Sequence, residues 1–116
     1  MATESVAYQN ALSFAKRIVL LCKHLNSEHQ EYTLSKQILR SGTSIGANIA
    51  ESQQAQSRAD FISKLSIALK EACETDYWLR LLNATDYLSE AEFSSLIKDC
   101  QEIEKMLTAI IRKAKN

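Results

Sequence analysis

Apolar residues recur along the chain at alternating spacings of three and four, which is the pattern of packed helices. The first series comprises Ala7, Ala11, Phe14, Ile18, Leu21 and Leu25. A second series lies beside it on the same segment and comprises Tyr8, Leu12, Ala15, Val19 and Cys22. At 3.6 residues per turn the two series cover roughly half of the helix surface. One neighbouring helix cannot cover so wide a face.

Three further apolar series predict three further helices. They comprise, in chain order, Leu34, Ile38, Ile45 and Ile49; Phe61, Leu65, Ala68, Ala72, Leu79 and Leu82; and Phe93, Leu96, Cys100, Ile103, Leu107, Ile110 and Ala114. Thr33 is the expected N-cap of the second helix. Ser57 with Asp60, and Ser89 with Glu92, have the spacing of capping boxes and mark the starts of the third and fourth helices. The predicted helices span residues 5–26, 33–54, 57–83 and 89–114. No segment alternates in the manner of a strand.

Four helices with short connections predict one all-α domain over residues 1–116, an up-down-up-down antiparallel four-helix bundle with left-handed crossings near 20°. The chain has no proline, which suits long unbroken helices. The first and third helices carry apolar surface on two adjoining faces, so a monomer would leave a contiguous apolar patch exposed. Self-association, most simply as a cyclic homo-oligomer, is therefore expected.

The overall charge gives no attraction to phosphate or to anionic lipid, because 14 basic residues balance 14 acidic ones. The segment "MATESVAYQN" lacks the features of a signal peptide, and no apolar run is long enough to span a membrane, so we expect a cytoplasmic protein. Three cysteines without a Cys-x-x-Cys pair indicate neither a disulfide framework nor a zinc knuckle. Cys22, Cys73 and Cys100 are interpreted as small buried apolar residues.

Both glycines of the chain fall inside the second helix, where each destabilises a helix by roughly 0.5–1 kcal/mol relative to alanine. Gly42, Gly46 and Ala50 stand four residues apart and predict a smooth packing groove along one side. Close approach of a second backbone, or of a large side chain such as Tyr77 or Trp78, would offset the glycines. The alternative is a frayed or kinked helix.

A polar stripe borders the core positions of the same helix; it consists of Arg40, Ser44, Asn48 and Glu51. On the third helix Glu71, Glu74 and Trp78 share one face. We expect a charge-assisted contact between Arg40 and Glu71 or Glu74, which would fix the register of the two helices. A solvated polar face without mutual contacts is the alternative.

These residues also carry a family resemblance, which runs from Thr33 to Leu82 through "RSGTSIGANIAES" and "SRADFISKLSIALKEACETDYWLRLL". The sequence resembles the four-helix-bundle family encoded in intervening sequences of bacterial large-subunit (23S) ribosomal RNA genes, the S23 ribosomal protein-like family. Its most specific parts are Ser44-Ile45, Asn48-Ile49-Ala50-Glu51, Lys70-Glu71, Glu74-Thr75 and Tyr77-Trp78-Leu79. The first and fourth helices match only in pattern.

The resemblance implies a closed bundle, a cyclic homopentamer and no established catalytic activity. The chain is also similar to the accessory variability protein of diversity-generating retroelements, a basic pentamer that binds a reverse transcriptase and nucleic acid. The balanced charge of the present chain departs from that relative.

Two non-enzymatic functions follow. The first is an oligomeric scaffold or adaptor whose main partner is itself. The second is a module that binds RNA or a ribonucleoprotein through basic residues at Lys16, Arg17, Lys23, Lys105, Arg112, Lys113 and Lys115. Cations in a last helical turn also complement the helix dipole, which is the alternative for the C-terminal group.

No enzyme, metal, cofactor, membrane or small-molecule substrate is expected. The Glu-x-x-His pairs of di-iron bundles are missing, because Leu21 and Asn26 stand three residues before His24 and His29. The group Glu28, His29 and Glu31 falls in a predicted loop and is interpreted as solvated polar residues.

Overall fold

The computed structural model describes residues 2–116, with side chains from Val6 onward. It contains four helices: α1 Ala2–His29, α2 Thr33–Ser52, α3 Arg58–Ala84 and α4 Glu90–Lys115. Residues 2–116 contain no strand. The expectation about a signal peptide rests in part on Met1, which lies outside the described residues.

The helices pack side by side in chain order. α1 contacts α2, α2 contacts α3, α3 contacts α4, and a contact between α1 and α4 closes the ring. The molecule measures 45 × 21 × 19 Å, and a helix of 28 residues such as α1 is about 42 Å long. Each helix therefore runs along the long axis, and the short connections reverse its direction. The predicted all-α, up-down-up-down bundle is confirmed.

The core comes from the predicted apolar series. Its largest fully buried side chains include Phe14, Ile18, Leu25, Ile38, Ile45, Ile49, Leu65, Leu79, Leu82, Ile103 and Leu107. Burial of each stabilises the fold by about 1.5–3 kcal/mol before the loss of conformational entropy is counted. One polar pair interrupts this core, because Thr75 Oγ1 lies 2.8 Å from Ser41 Oγ and both residues are fully buried.

The connection between α1 and α2 is shorter than predicted. α1 continues to His29, and Gln30 ends it with a left-handed backbone (φ 49°) that lets the Glu31 N–H donate to the Leu25 carbonyl at 3.0 Å. Thr33 is not the N-cap, since that position falls on Tyr32, whose side chain makes no cap bond.

Glu31 caps α2 in place of Thr33. Its carboxylate accepts backbone N–H bonds from Thr33, Leu34 and Ser35 at 3.1, 2.9 and 2.9 Å. These donors have no partner within a helix, and the positive end of the helix dipole favours the carboxylate.

The starts of α3 and α4 largely follow the capping pattern. Ser89 and Glu92 form a complete capping box. Ser57 Oγ accepts from the Asp60 N–H at 3.1 Å, but the Asp60 carboxylate accepts from the N–H of Gln56 and not from Ser57. Ser57 is thus the N-cap of α3, and the helix begins at Arg58, one residue later than predicted. α2 ends at Ser52, two residues earlier than predicted.

The cysteines divide into two environments. Cys22 and Cys100 are buried, as expected, but Cys73 is exposed. Cys73 follows the fully buried Ala72, and one residue turns a helix by about 100°, which carries the Cys73 side chain to the edge of the core. Over the described residues, no helix combines the length and apolarity that a membrane span requires.

Candidate interaction surfaces

Gly42 and Gly46 lie on the side of α2 that faces α1. The side chain nearest Gly42 is Ile18, and a Cβ atom added at Gly46 would lie 3.5 Å from Cβ of Ala11 and 3.8 Å from its carbonyl carbon. The groove of Gly42 and Gly46 is therefore occupied by α1, whereas Tyr77 and Trp78 belong to α3. α2 continues unbroken through both glycines. The glycines allow close approach of two helix backbones.

An apolar surface runs along the outer edge between α1 and α2. Leu12, Val19 and Leu39 keep 40%, 36% and 37% of their surface exposed. The Cys22 thiol on α1 donates to the Ser35 carbonyl on α2 at 3.3 Å, so Cys22 lies on the side of α1 that faces α2. At about 100° per residue, the positions around these groups form one largely apolar strip on the two helices, bordered by the exposed Lys16, Lys23 and Lys36. We name it the α1/α2 apolar face: Tyr8, Leu12, Ala15, Val19, Leu39, Ala47 and Ala50.

We expected α1 and α3 each to carry apolar surface on two adjoining faces, and on α3 the structure differs in part from this expectation. On α3 the second apolar series is largely covered, because Ile62 and Leu69 are partly buried against the core. Ile67 and Tyr77 remain exposed on α3. The wide apolar surface of α3 is thus used inside the bundle, and the contiguous exposed strip lies on α1 and α2.

The predicted contact between the polar faces of α2 and α3 is present. Arg40 Nη1 donates to Glu71 Oε2 at 2.8 Å, and Arg40 Nη2 donates to Glu74 Oε2 at 2.5 Å. The indole N–H of Trp78 donates to the same Glu74 oxygen at 2.9 Å, and Tyr77 packs edge-on against Trp78 with ring centroids 5.1 Å apart. Arg40 therefore spans one helical turn of α3.

These hydrogen bonds shift the acid–base equilibria of the ion pair. The Trp78 indole, followed by Arg40, lowers the pKa of Glu74. Hydrogen bonds to Glu74 and Glu71 raise the pKa of Arg40. Because half of the Arg40 side chain is exposed, solvent screens the attraction and the pair contributes modestly to stability.

The rest of the polar stripe does not join Glu71 and Glu74. Ser44 Oγ donates to the Arg40 carbonyl at 2.6 Å, and Asn48 Nδ2 donates to the Ser44 carbonyl at 2.8 Å. Glu51 lies 3.5 Å from Lys64 Nζ. Ser44 and Asn48 thus bond to the backbone of their own helix, and only Arg40 of the four forms the cluster with Glu71 and Glu74.

The basic residues fall into separate groups. Arg17 forms an ion pair with Asp99 at 2.6 Å and donates to Ser95 Oγ at 2.9 Å, so it joins α1 to α4. The remaining predicted nucleic-acid contacts are exposed: Lys16, Lys23, Lys105, Arg112, Lys113 and Lys115. Arg58 adds a cation at the end of α4, where its Nη1 donates to the Ala114 carbonyl at 3.1 Å.

A cluster of thiols and carboxyls, not anticipated from the sequence, lies between α3 and α4. Ligating atoms of Asp76, Cys100 and Glu104 all lie within 4.8 Å of one another. Glu104 Oε1 accepts from the Cys73 thiol at 3.8 Å, and Glu104 Oε2 lies 3.6 Å from Cys100 Sγ. We call these four residues the thiol–carboxyl cluster.

Burial and the nearby Asp76 carboxyl raise the pKa of Glu104 to about 7. Burial, followed by the Glu104 charge, also raises the pKa of the Cys73 and Cys100 thiols. Arg80 Nε donates to Asp76 at 2.6 Å and is the cation beside the cluster. These pKa values rise because partial burial and neighbouring acidic groups both disfavour the ionised form of a carboxyl or a thiol.

The sequence did contain a signal for this cluster. Cys73 and Asp76 are three residues apart on α3, and Cys100 and Glu104 are four apart on α4, so each pair shares one helix face. The Glu-x-x-His motif of di-iron bundles does not describe them, because their ligand types are cysteine and carboxylate. Within the described part of the chain, Glu28, His29 and Glu31 do not form a ligating group. His29 instead packs edge-on against His24 and Tyr87, with ring centroids 5.4 Å apart in both pairs.

Helix order, core and surfaces define the class as a small antiparallel four-helix-bundle protein. The sequence profile of the 23S rRNA-intervening sequence protein family matches residues 3–109, and the chain belongs to this family. It is similar to a protein of unknown function from the S23 ribosomal protein family of Bacteroides thetaiotaomicron. That crystal structure is 56% identical, with coverage of 95% of this chain and 98% of that chain and a TM-score of 0.93. A search of curated proteins finds no match.

Proposed function

We propose that the protein is a non-catalytic scaffold that assembles with copies of itself through the α1/α2 apolar face. One observation carries the proposal: an apolar strip on two adjoining helices exposes Leu12, Val19 and Leu39 together. Burial of such side chains gains about 25 cal/mol for each Å² removed from water. A strip of this kind is typical of a surface that a partner protein covers.

A second copy is the occupant that suits this face best. The strip holds projecting side chains, such as Leu12 and Val19, next to small ones, such as Ala47 and Ala50, so it supplies both protrusions and recesses. The chain has no net charge, so copies do not repel one another as they approach.

The proposed assembly is a closed ring of five, the state that the family resemblance implies. Head-to-tail contacts of one kind close into a ring when the rotation between copies fits. The three free thiols suit the reducing cytoplasm, where we place the protein. In such a ring the polar faces of α2 and α3 would serve further partners.

Light scattering during size exclusion tests the assembly. The variant Leu12→Glu with Leu39→Glu is expected to elute as a folded monomer, because two buried carboxylates without partners oppose association. Leu20→Glu is the matched control, since Leu20 is an exposed leucine of α1 that lies beside Arg17 and Leu96, towards α4. A monomeric wild type at micromolar concentration, or an oligomer unaffected by the double variant, would contradict the proposal.

RNA binding is a second candidate, favoured by one observation. Arg58 reaches the end of α4, so it adds to the exposed Arg112, Lys113 and Lys115 at one end of the bundle. A ring would repeat this group once in each copy. Mobility shifts with structured RNA should weaken with salt and with Arg112→Gln plus Lys113→Gln, whereas Lys36→Gln, on α2, should leave them unchanged. Absence of a salt-sensitive shift would remove this candidate.

A further inference from the structure

We propose that the thiol–carboxyl cluster of Cys73, Asp76, Cys100 and Glu104 is a binding site for one divalent zinc-like cation. The site would join α3 to α4. It involves neither the α1/α2 apolar face nor the basic group at the end of the bundle, so it stands independently of the scaffold proposal.

The ligand set is the first argument. Two sulfurs and two carboxylates suit a borderline cation such as Zn²⁺, which accepts both thiolate and carboxylate. Each helix contributes one residue of each type, Cys73 and Asp76 from α3 and Cys100 and Glu104 from α4. Metal sites in helix bundles are commonly built in this way, from side chains on facing helices.

The separations are the second argument. In a tetrahedral zinc site with Zn–S near 2.3 Å and Zn–O near 2.0 Å, a sulfur and an oxygen ligand stand roughly 3.5 Å apart. The Glu104 oxygens lie 3.6 Å from Cys100 Sγ and 3.8 Å from Cys73 Sγ. Asp76, Cys100 and Glu104 already place ligating atoms within 4.8 Å of one another, and Cys73 would complete the set by turning its exposed thiol towards them.

The surroundings are the third argument. Arg80 donates to Asp76 at 2.6 Å, which is the outer hydrogen bond that ligating carboxylates usually have. It also offsets part of the negative charge of two thiolates and two carboxylates. Cys73 is exposed, so an ion can enter from solvent, while Cys100 is fully buried and holds the inner position.

Binding would exchange protons for the ion without oxidation or reduction. The thiol protons of Cys73 and Cys100, and the proton of Glu104 where it is present, pass to solvent as the metal–ligand bonds form. The bound ion links α3 to α4, and it stabilises the folded chain because the unfolded chain does not hold the four ligands together.

Titration of reduced, chelator-treated protein with Co²⁺ tests the site directly. One Co²⁺ per chain should produce thiolate-to-cobalt charge-transfer absorption, and Zn²⁺ should abolish it by displacement. Zn²⁺ should also raise the melting temperature. Cys73→Ser and Glu104→Gln should each weaken Zn²⁺ affinity by at least about tenfold. Loss of a residue that only hydrogen-bonds to a ligand already weakens metal binding about tenfold or more, so loss of a ligand should cost no less.

Two control variants separate this site from adventitious binding. Cys22→Ser removes a buried thiol elsewhere, and Glu102→Gln removes an exposed carboxylate of α4; both should bind Co²⁺ as the wild type does. If Cys100→Ser fails to fold, Cys73→Ser and Glu104→Gln still decide the question. Absence of saturable absorption at one ion per chain, or wild-type binding by Cys73→Ser and Glu104→Gln, would overturn the proposal.

Discussion

Ile18 on α1 packs directly over Gly42 on α2. A Cβ atom added at Gly42 would lie 2.9 Å from Cγ2, 3.0 Å from Cγ1 and 3.3 Å from Cβ of Ile18. Ile18 is β-branched and fully buried, so its side chain is stiff and cannot turn out into solvent. Gly46 differs, because its added Cβ would make an ordinary contact with Ala11 at 3.5 Å.

The two glycines should therefore respond in opposite directions to alanine. Gly42→Ala is expected to lower the free energy of unfolding by about 1–2 kcal/mol, since overpacking outweighs the gain in helix propensity. Gly46→Ala should raise it by up to about 1 kcal/mol. Urea denaturation at one low protein concentration measures both. Equal effects of the two substitutions would contradict this account.

The buried hydroxyls of Ser41 and Thr75 should be coupled. Thr75→Val leaves the buried Ser41 hydroxyl with only its long 3.5 Å bond to the Ile38 carbonyl and should destabilise the protein by about 1–3 kcal/mol. Adding Ser41→Ala removes this poorly bonded hydroxyl and should recover part of that loss. A double-mutant cycle measures the coupling, and strictly additive effects would show that the two hydroxyls act independently.

Glu104 should make stability fall with rising pH. Its carboxyl titrates near 4.5 when unfolded and at about 7 when folded. Between these values the folded protein keeps a proton that the unfolded chain has released, so the free energy of unfolding decreases. The contribution of protonated Glu104 is complete below pH 4.5 and is lost as pH rises through 7.

Glu104→Gln should flatten this profile. At pH 8, in the presence of a metal chelator, the variant should be more stable than wild type by about 1–2 kcal/mol. One pKa unit corresponds to about 1.4 kcal/mol, and because Glu104 is only partly buried, solvent reduces the free energy that its full pKa shift would give. The difference should shrink towards pH 4. Glu102→Gln is the control on the same helix, and a similar gain in that exposed variant would contradict the assignment to Glu104.

The Arg40 ion pair should give a small stabilisation that is lost as pH falls, whereas the stabilisation from Glu104 is lost as pH rises. Arg40→Met is expected to destabilise by about 0.5–1 kcal/mol at neutral pH, since Arg40 is half exposed. The pKa of Glu74 is lowered in the folded state, so this stabilisation is present above pH 4.5 and is lost as pH falls further. Stability curves of wild type and Arg40→Met should therefore converge in acid. A constant difference would show that Arg40 acts by packing alone.

The fold could be predicted because each helix carries its own periodic signal. Ile18, Ile45 and Leu107 belong to the predicted apolar series, and all three are fully buried. The Arg40 contact could be predicted too, because the apolar series determine which polar faces of α2 and α3 adjoin.

Features that depend on how far one helix is shifted along its neighbour could not be predicted from the sequence. The meeting of Cys73 with Glu104 depends on how far α3 is shifted along α4, and no periodicity reports that shift. The choice of Ile18 as the neighbour of Gly42 depends likewise on the approach of α1. Glu31 caps α2 because Gln30 adopts a left-handed backbone, which residue type alone does not predict.

The order of contacts around the bundle also bears on how the chain folds. Three of the four interfaces join consecutive helices, and only the seam between α1 and α4 closes a long loop. Chains dominated by local contacts fold quickly, within microseconds to milliseconds. Because closing a long loop costs conformational entropy, we expect the interface between α1 and α4, which Arg17 and Asp99 bridge, to form last during folding and to open first.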